Sequence, residues 1–288
     1  MAVQASEVPR AVAAATSTAS ALGLRADEAN VLHVSNRIAL RLLPSDVLAR
    51  VALPSHEAAE FEVGLAARLA ATDSPVALLE PRVAPRVYER DGFTITFWTY
   101  YEPQMVRAPS PADYADALSR LHVGMQHVDV TTPHFTDRVR EAQLLVGSHD
   151  RTPQLGDVDR DLLVDTFDRV MPVIAGRGAA EQLLHGEPHP GNVLSTKDGP
   201  LFIDLETACR GPVEFDLAHV PNEVSECYAG IDHALLDDCR VLVLAMIAAW
   251  RFDPEDRFPS RRQAARDLLA ALRAGPPYPA LGAISGLQ

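Results

Sequence analysis

The stretch Leu183–Ala208, LLHGEPHPGNVLSTKDGPLFIDLETA, decides how the rest of the chain is read. Two short apolar runs, Val193–Ser195 and Leu201–Leu205, flank TKDG, and a turn near Asp198-Gly199 would fold them back as an antiparallel hairpin. That register places Asn192 and Asp204 at the same open end, with Cβ atoms within roughly 4.5–8 Å if they are opposite or diagonal neighbours. An amide oxygen and a carboxylate so placed suit a hard cation. Magnesium commonly takes one or two protein oxygens and completes its shell with water and phosphate. Zinc would prefer nitrogen or sulfur. His185 and His189 are four apart, but Gly186 and Pro188 disfavour the helix that would aim both rings at one ion.

Upstream, HGEPHPGN holds Glu187 five residues before Asn192, in a loop that Pro188, Pro190 and Gly191 keep from being helical. A carboxylate beside a metal-nucleotide site is an arrangement that phosphoryl transfer uses. Taken singly, Asn192 or Asp204 could be an ordinary turn former. The order His185, Glu187, Asn192, Asp204 instead follows the kinase pattern H-R-D-L-x-x-x-N with a metal-binding Asp on a later strand.

Working outward, the first third alternates like sheet in NVLHV, RIALRLL and VLARVAL, separated by Ser35-Asn36 and Pro44-Ser45-Asp46. Phe61, Leu65 and Leu69 then recur at helical spacing, with Ser55 as the expected N-cap. RVYERDGFTITFWTYY reads as a further hairpin turning at Asp91-Gly92. From Ser110-Pro111 onward helices dominate: Tyr114, Leu118 and Leu121 share one face, and helical periodicity returns in 157–174, 234–250 and 260–274. A boundary near residue 102 follows. The stretch Ala11–Leu24 reads as an N-terminal helix rather than a secretory signal.

The whole chain sets outer limits. It has 288 residues, 47% hydrophobic and 23% charged, the profile of a soluble globular protein large enough for two lobes. A net charge of -13 without a basic patch argues against nucleic-acid or anionic-membrane partners. Cys209, Cys227 and Cys239 lack metal or disulfide spacing, which suggests a reducing cytoplasm. The apolar run Val241–Trp250 is about half the roughly 20 residues of a membrane span and reads as a buried helix.

On HGEPHPGN, LFIDLETA and GPVEFDLA, in that order, the chain resembles the aminoglycoside phosphotransferase and choline kinase-like family, whose core motif reads H-G-D-x-H-x-G-N. The resemblance covers about residues 30–250. It implies an α+β, protein-kinase-like two-lobed fold: an N-terminal helical segment over 1–29, a β-rich N-lobe over 30–102 that binds nucleotide, and a helical C-lobe over 103–288. It further implies ATP and magnesium (Mg2+) as cofactors and transfer of the γ-phosphoryl to a small-molecule hydroxyl.

Carried over residue by residue, the family pattern makes Asn192 and Asp204 metal ligands, puts the catalytic carboxylate at Glu187 and has His185 brace the loop. Asp216 would anchor the loop or the following helix. The only lysine, Lys197, lies in the hairpin turn, so Arg50 in LARVAL occupies the strand of the phosphate-pairing lysine. Glu62, with Glu60 as the competitor, could pair with Arg50. Trp98, Thr99 and Tyr100 fall where the family joins its lobes; their backbone groups could meet adenine, and an aromatic edge strand explains them equally well. Glu206 could reach a second metal or substrate, or end a strand in solvent.

Two departures stand out, Glu187 being one methylene longer than the family's Asp and the phosphate-pairing lysine being absent from its strand; HVSNRIAL also has no glycine where a phosphate loop is expected. From Asp204 to Asp256 there are twelve Asp and Glu against three Arg, a surface that would attract a cationic acceptor such as an aminoglycoside, or a merely solvated acidic face. The alternative reading is a nucleotide-binding pseudokinase with a regulatory or scaffolding role.

Overall fold

The computed structural model describes residues 5–54, 56–102, 108–258 and 260–284. It divides into two compact units, Met1–Ala108 with Leu194–Glu206, and Pro109–Val193 with Thr207–Gln288. Ser55, expected to cap a helix, lies outside the described residues.

The first unit runs α1 (Val8–Ala21), β1 (Ala26–Val34), β2 (Ile38–Pro44), β3 (Val47–Ala52), α2 (His56–Leu69), β4 (Tyr88–Arg90) and β5 (Phe93–Thr99). Its five strands form one antiparallel sheet in the order β1-β2-β3-β5-β4. The hairpins close where the sequence offers residues that tolerate positive φ: Asp46 at 57°, and Asp91 and Gly92 at 52° and 80°. Alternation then sorts the faces. Ile38, Leu40, Leu42, Val47, Ala49, Val51, Phe93, Ile95 and Phe97 share one core with Ala11, Ala14, Ala15 and Ala19 of α1. The alanines bring the α1 backbone close to the sheet, and each large side chain fully buried there contributes about 1.5–3 kcal/mol. Arg50 lies between Ala49 and Val51, opposite Thr96 in the register, and so projects from the other face.

The second unit is helical around a small sheet. It contains α3 (Pro111–Met125), α4 (Phe135–Val146), α5 (Asp157–Gly176) and β6 (Gln182–Leu184). The hairpin β7 (Val193–Thr196) and β8 (Gly199–Phe202) comes next in the chain and, from Leu194, belongs to the first unit; the second unit resumes with β9 (Cys209–Gly211), α6 (Val213–Leu217), α7 (Asn222–Cys227), α8 (His233–Trp250) and α9 (Arg261–Ala274). The start of α3 is the expected one: Ser110 Oγ accepts the Asp113 amide at 3.1 Å, with Pro111 in the first turn. α8 is buried over most of its length, and among the described residues no helix is long and apolar enough to cross a membrane.

The hairpin turns where expected but is shorter. β8 ends at Phe202, and Leu205–Thr207 is a turn of 3-10 helix rather than strand, because Asp204 takes a left-handed φ of 66° that breaks the extended run. Within the first unit, main-chain bonds hold the hairpin in place: the Phe202 amide donates to Pro75 O at 2.8 Å, and Phe202 O accepts from the Ala77 amide at 3.0 Å.

Candidate active site

β6 delivers the chain to His185, and the loop that follows is held at nearly every step. Gly186 has φ +89°, and a Cβ there would stand 2.0 Å from Thr207 O, so only glycine fits. The fully buried Asp216 carboxylate at the start of α6 accepts the His185 amide at 2.9 Å and the Gly186 amide at 2.8 Å. Its Oδ2 also lies 3.0 Å from His122 Nε2, whose Nδ1 is 2.8 Å from the Tyr228 hydroxyl. Burial pushes the Asp216 pKa up, but the His122 hydrogen bond and the charges of His122, His185 and His219 outweigh it, so the carboxyl stays below its ordinary range. Asp216 thus anchors both the loop and its helix.

His185 is buried and braces the same loop. The Glu187 amide donates to its Nδ1 at 3.4 Å, and its carbonyl accepts from Thr207 Oγ1 at 3.2 Å. The Tyr114 hydroxyl donates to Pro188 O at 2.5 Å, and Asn192 Nδ2 donates to Glu187 O at 3.0 Å. Asn192 closes the 3-10 turn Pro190–Asn192 that leads into β7.

Glu187 has a partner that the sequence did not suggest. Arg138 on α4 donates through Nη2 to Glu187 Oε1 and through Nη1 to Gly186 O at 3.2 Å. Its guanidinium carbon lies 5.1 Å from the centre of the Trp250 ring of α8. Burial raises the Glu187 pKa, but the charges of Arg138, His219 and His189 and the Arg138 hydrogen bond bring it below the ordinary carboxylate value. His219 is itself pushed down to about 4, chiefly by burial, and its Nδ1 lies 2.9 Å from Phe215 O.

The first unit holds a second charged group. Arg50 Nη1 donates to Glu62 Oε1 at 2.5 Å and Nη2 to Asp204 Oδ1 at 3.0 Å. Arg37 Nη1 meets Glu62 Oε2 at 3.0 Å and Asp204 Oδ1 at 3.1 Å, while its Nη2 pairs with Glu206. Two guanidiniums therefore face three carboxylates, of which Glu62 is the most buried at 3% exposed. Glu60, the competitor to Glu62, is exposed on α2. Burial works against the Arg50 charge, but Glu62 and Asp204 more than compensate and raise its pKa. Arg37 follows the Ser35-Asn36 turn; the alternation of SNRIAL gives no sign of its role, because its partners lie 25 and 167 residues away.

The aromatic stretch is partly engaged. Trp98 is buried, donates from Nε1 to Thr96 Oγ1 at 2.8 Å and lies with its ring centre 5.6 Å from the Arg50 guanidinium carbon. The Thr99 amide already donates to Leu78 O at 2.9 Å, and the Arg41 guanidinium carbon lies 4.0 Å from the centre of the Tyr100 ring. Among the described residues no group of three or more His, Cys, Asp or Glu side chains is placed to hold a metal. The Asp204 carboxylate and the Asn192 amide oxygen are hard donors, and Arg37 and Arg50 are cations in the first unit that suit phosphate oxygens. These donor types fit a magnesium nucleotide, which needs only one or two protein oxygens.

The model of the Phosphotransferase enzyme family (APH) matches residues 31–242. No curated protein matches the chain by sequence. Amicoumacin kinase hAmiN, solved with AMP-PNP, Ca2+ and Ami, is similar in structure with a TM-score of 0.70 at 11% identity, over 96% of this chain and 98% of that one. Choline kinase LicA from Streptococcus pneumoniae gives a TM-score of 0.65 at 12% identity, over 90% and 98%. The GDP complex of aminoglycoside 2'-phosphotransferase-IIIa gives 0.64 at 13%, over 86% and 93%. At these identities the likeness establishes the fold, which is protein-kinase-like, with a small β-rich unit and a larger helical one.

Proposed function

The chain belongs to the Phosphotransferase enzyme family, and from that premise we propose that it transfers the γ-phosphoryl group of ATP, with magnesium, to a hydroxyl of a small molecule. The observation that carries the proposal is Glu187: a half-buried carboxylate kept ionised by Arg138, on a loop whose backbone Asp216, Tyr114 and Asn192 hold in place. Relatives of the same fold that were solved with AMP-PNP and Ca2+, or with GDP, support a nucleotide and a divalent ion as its companions.

In this reading Glu187 accepts a hydrogen bond from the acceptor hydroxyl and orients its oxygen toward phosphorus. Its pKa, held below the ordinary carboxylate value, makes it a weak base. That is sufficient, because phosphoryl transfer runs through a loose transition state in which little proton transfer is needed early. Asn192, through Oδ1, and Asp204 would hold the metal, which when bound neutralises phosphate charge. Arg50, fixed by Glu62, would contact phosphate oxygens, with the backbone near Trp98, Thr99 and Tyr100 toward the base. Glu223, Glu226, Asp232, Asp237 and Glu255, exposed carboxylates of the acidic stretch, would draw a cationic acceptor, as an aminoglycoside is.

The test is ADP release with magnesium-ATP across aminoglycosides, sugars, amino alcohols and nucleosides. Glu187→Gln and Asp204→Asn should each lose at least about 100-fold in kcat. Asparagine is the better replacement at position 204, since it tolerates the left-handed backbone that alanine would strain. Near-normal turnover in Asp204→Asn would refute the metal assignment. A second reading, a nucleotide-binding pseudokinase, draws on the arginines that already engage both Glu187 and Asp204. It predicts nucleotide binding without turnover for every acceptor, and gain of turnover in Glu187→Asp.

A further inference from the structure

We propose that Arg138 is the positioning residue of the transfer step: it fixes where the Glu187 carboxylate stands and thereby the orientation of the acceptor hydroxyl. The inference rests on the reading of Glu187 given above. Its first support is that one guanidinium grips two parts of the loop at once, the Glu187 carboxylate through Nη2 and the Gly186 carbonyl through Nη1 at 3.2 Å. The side chain of residue 187 is thereby referenced to the backbone of its own loop.

The second support is that Arg138 is held from behind. Trp250 of α8 backs its guanidinium, and the helix that carries it is anchored by buried Phe135, Val139, Ala142, Leu145 and Val146. Phe135 packs on Phe215 of α6 with ring centroids 5.1 Å apart, so α4 is packed directly against the helix that carries Asp216. A planar fork on a fixed helix loses less freedom per hydrogen bond than a flexible ammonium would.

The third support comes from what is left to fix. Asp216, Tyr114 and Asn192 already hold the loop backbone, so the remaining freedom lies in the side-chain torsions of Glu187. Those torsions are what the Arg138 contact removes. As the acceptor oxygen bonds to the γ-phosphorus, the bond from phosphorus to the bridging oxygen breaks and ADP leaves with that electron pair. The hydroxyl proton passes to the Glu187 carboxylate. A misplacement of about 1 Å in such an arrangement costs on the order of 100-fold in rate.

The experiment measures ADP release from magnesium-ATP, with water and with the best acceptor of the screen, for the unaltered chain, Arg138→Gln, Arg138→Lys, Glu187→Gln and the double variant Arg138→Gln/Glu187→Gln. Arg138→Gln should lower kcat by about 10- to 100-fold while the KM for ATP stays within about twofold. Arg138→Lys should recover part of the loss. The double variant should be no slower than Glu187→Gln alone, because the arginine acts through that carboxylate. Unchanged kcat in Arg138→Gln, or a full multiplicative loss in the double variant, would overturn the inference. If Arg138→Gln fails to fold, Arg138→Lys decides: a several-fold drop in kcat supports the role and unchanged kcat overturns it. Absence of turnover in the unaltered chain would overturn the reading of the site itself, and this role with it.

Discussion

Arg50 on β3 donates to Glu62 on α2 at 2.5 Å, twelve residues further along the chain, and Glu62 is 3% exposed. The same carboxylate accepts Arg37 at 3.0 Å through its other oxygen. A buried carboxylate that loses one of two cations is left under-compensated. Arg50→Ala should therefore destabilise the fold by about 2–4 kcal/mol in a denaturant titration, the remaining Arg37 contact keeping the loss from being larger. Arg50→Lys should lose less stability, yet it should still weaken magnesium-ATP binding by about 10-fold in fluorescence titration, because an ammonium cannot reproduce the fork. Equal affinity in both proteins would remove Arg50 from the phosphate site.

Gly186→Ala should be severely destabilising, by about 3 kcal/mol or more. The added methyl would meet Thr207 O, a backbone atom, at 2.0 Å, and the φ of +89° is strained for any other residue. Thermal unfolding measures the loss. Gly199→Ala makes the control: its φ is +111°, but nothing lies within 4 Å of its Cβ, so the fall in Tm should be the smaller of the two.

Stability should fall on acidification before the carboxylates titrate. His219 has a folded pKa of about 4, below the ordinary histidine value of 6.5, so the unfolded chain binds its proton first. The contribution is complete above about pH 6.5 and is lost as the pH falls toward 4, with a span on the order of 3 kcal/mol. Asp216, whose folded pKa is also depressed, has the same sign: its contribution is present above the ordinary aspartate range and disappears at lower pH. His219→Phe should flatten the curve of unfolding free energy between pH 4 and 6.5, whatever its effect on absolute stability. An unflattened curve would show that another group governs acid lability.

The parts of the fold that were legible in the sequence are those with local causes. Asp91-Gly92 sets a hairpin because both residues accept positive φ, and Ser110-Pro111 starts α3 because the hydroxyl caps Asp113. The loop around Glu187 was legible because glycine, proline and acceptor residues crowd one short stretch. The short helices α6 and α7 and the whole of α4 were not read. α4 follows TTP and opens on His134, whose capping box with Asp137 was its one usable sign. Missing α4 meant missing Arg138. Arg37 was missed for a related reason: its position in SNR looks like an ordinary turn, and Asp204 and Glu206 become its partners only through folding. Local rules reach turns, caps and alternation; they do not choose which arginine finds which carboxylate across the chain.

The proposed reaction leaves a phosphate ester on a small-molecule hydroxyl. Phosphorus-31 NMR of the protein incubated with magnesium-ATP and each acceptor class tests it most directly. A new phosphomonoester signal should grow in step with ADP for at least one class and be lost in Glu187→Gln. ATP that binds but persists unchanged with every acceptor, or ADP that forms with inorganic phosphate alone, would contradict it.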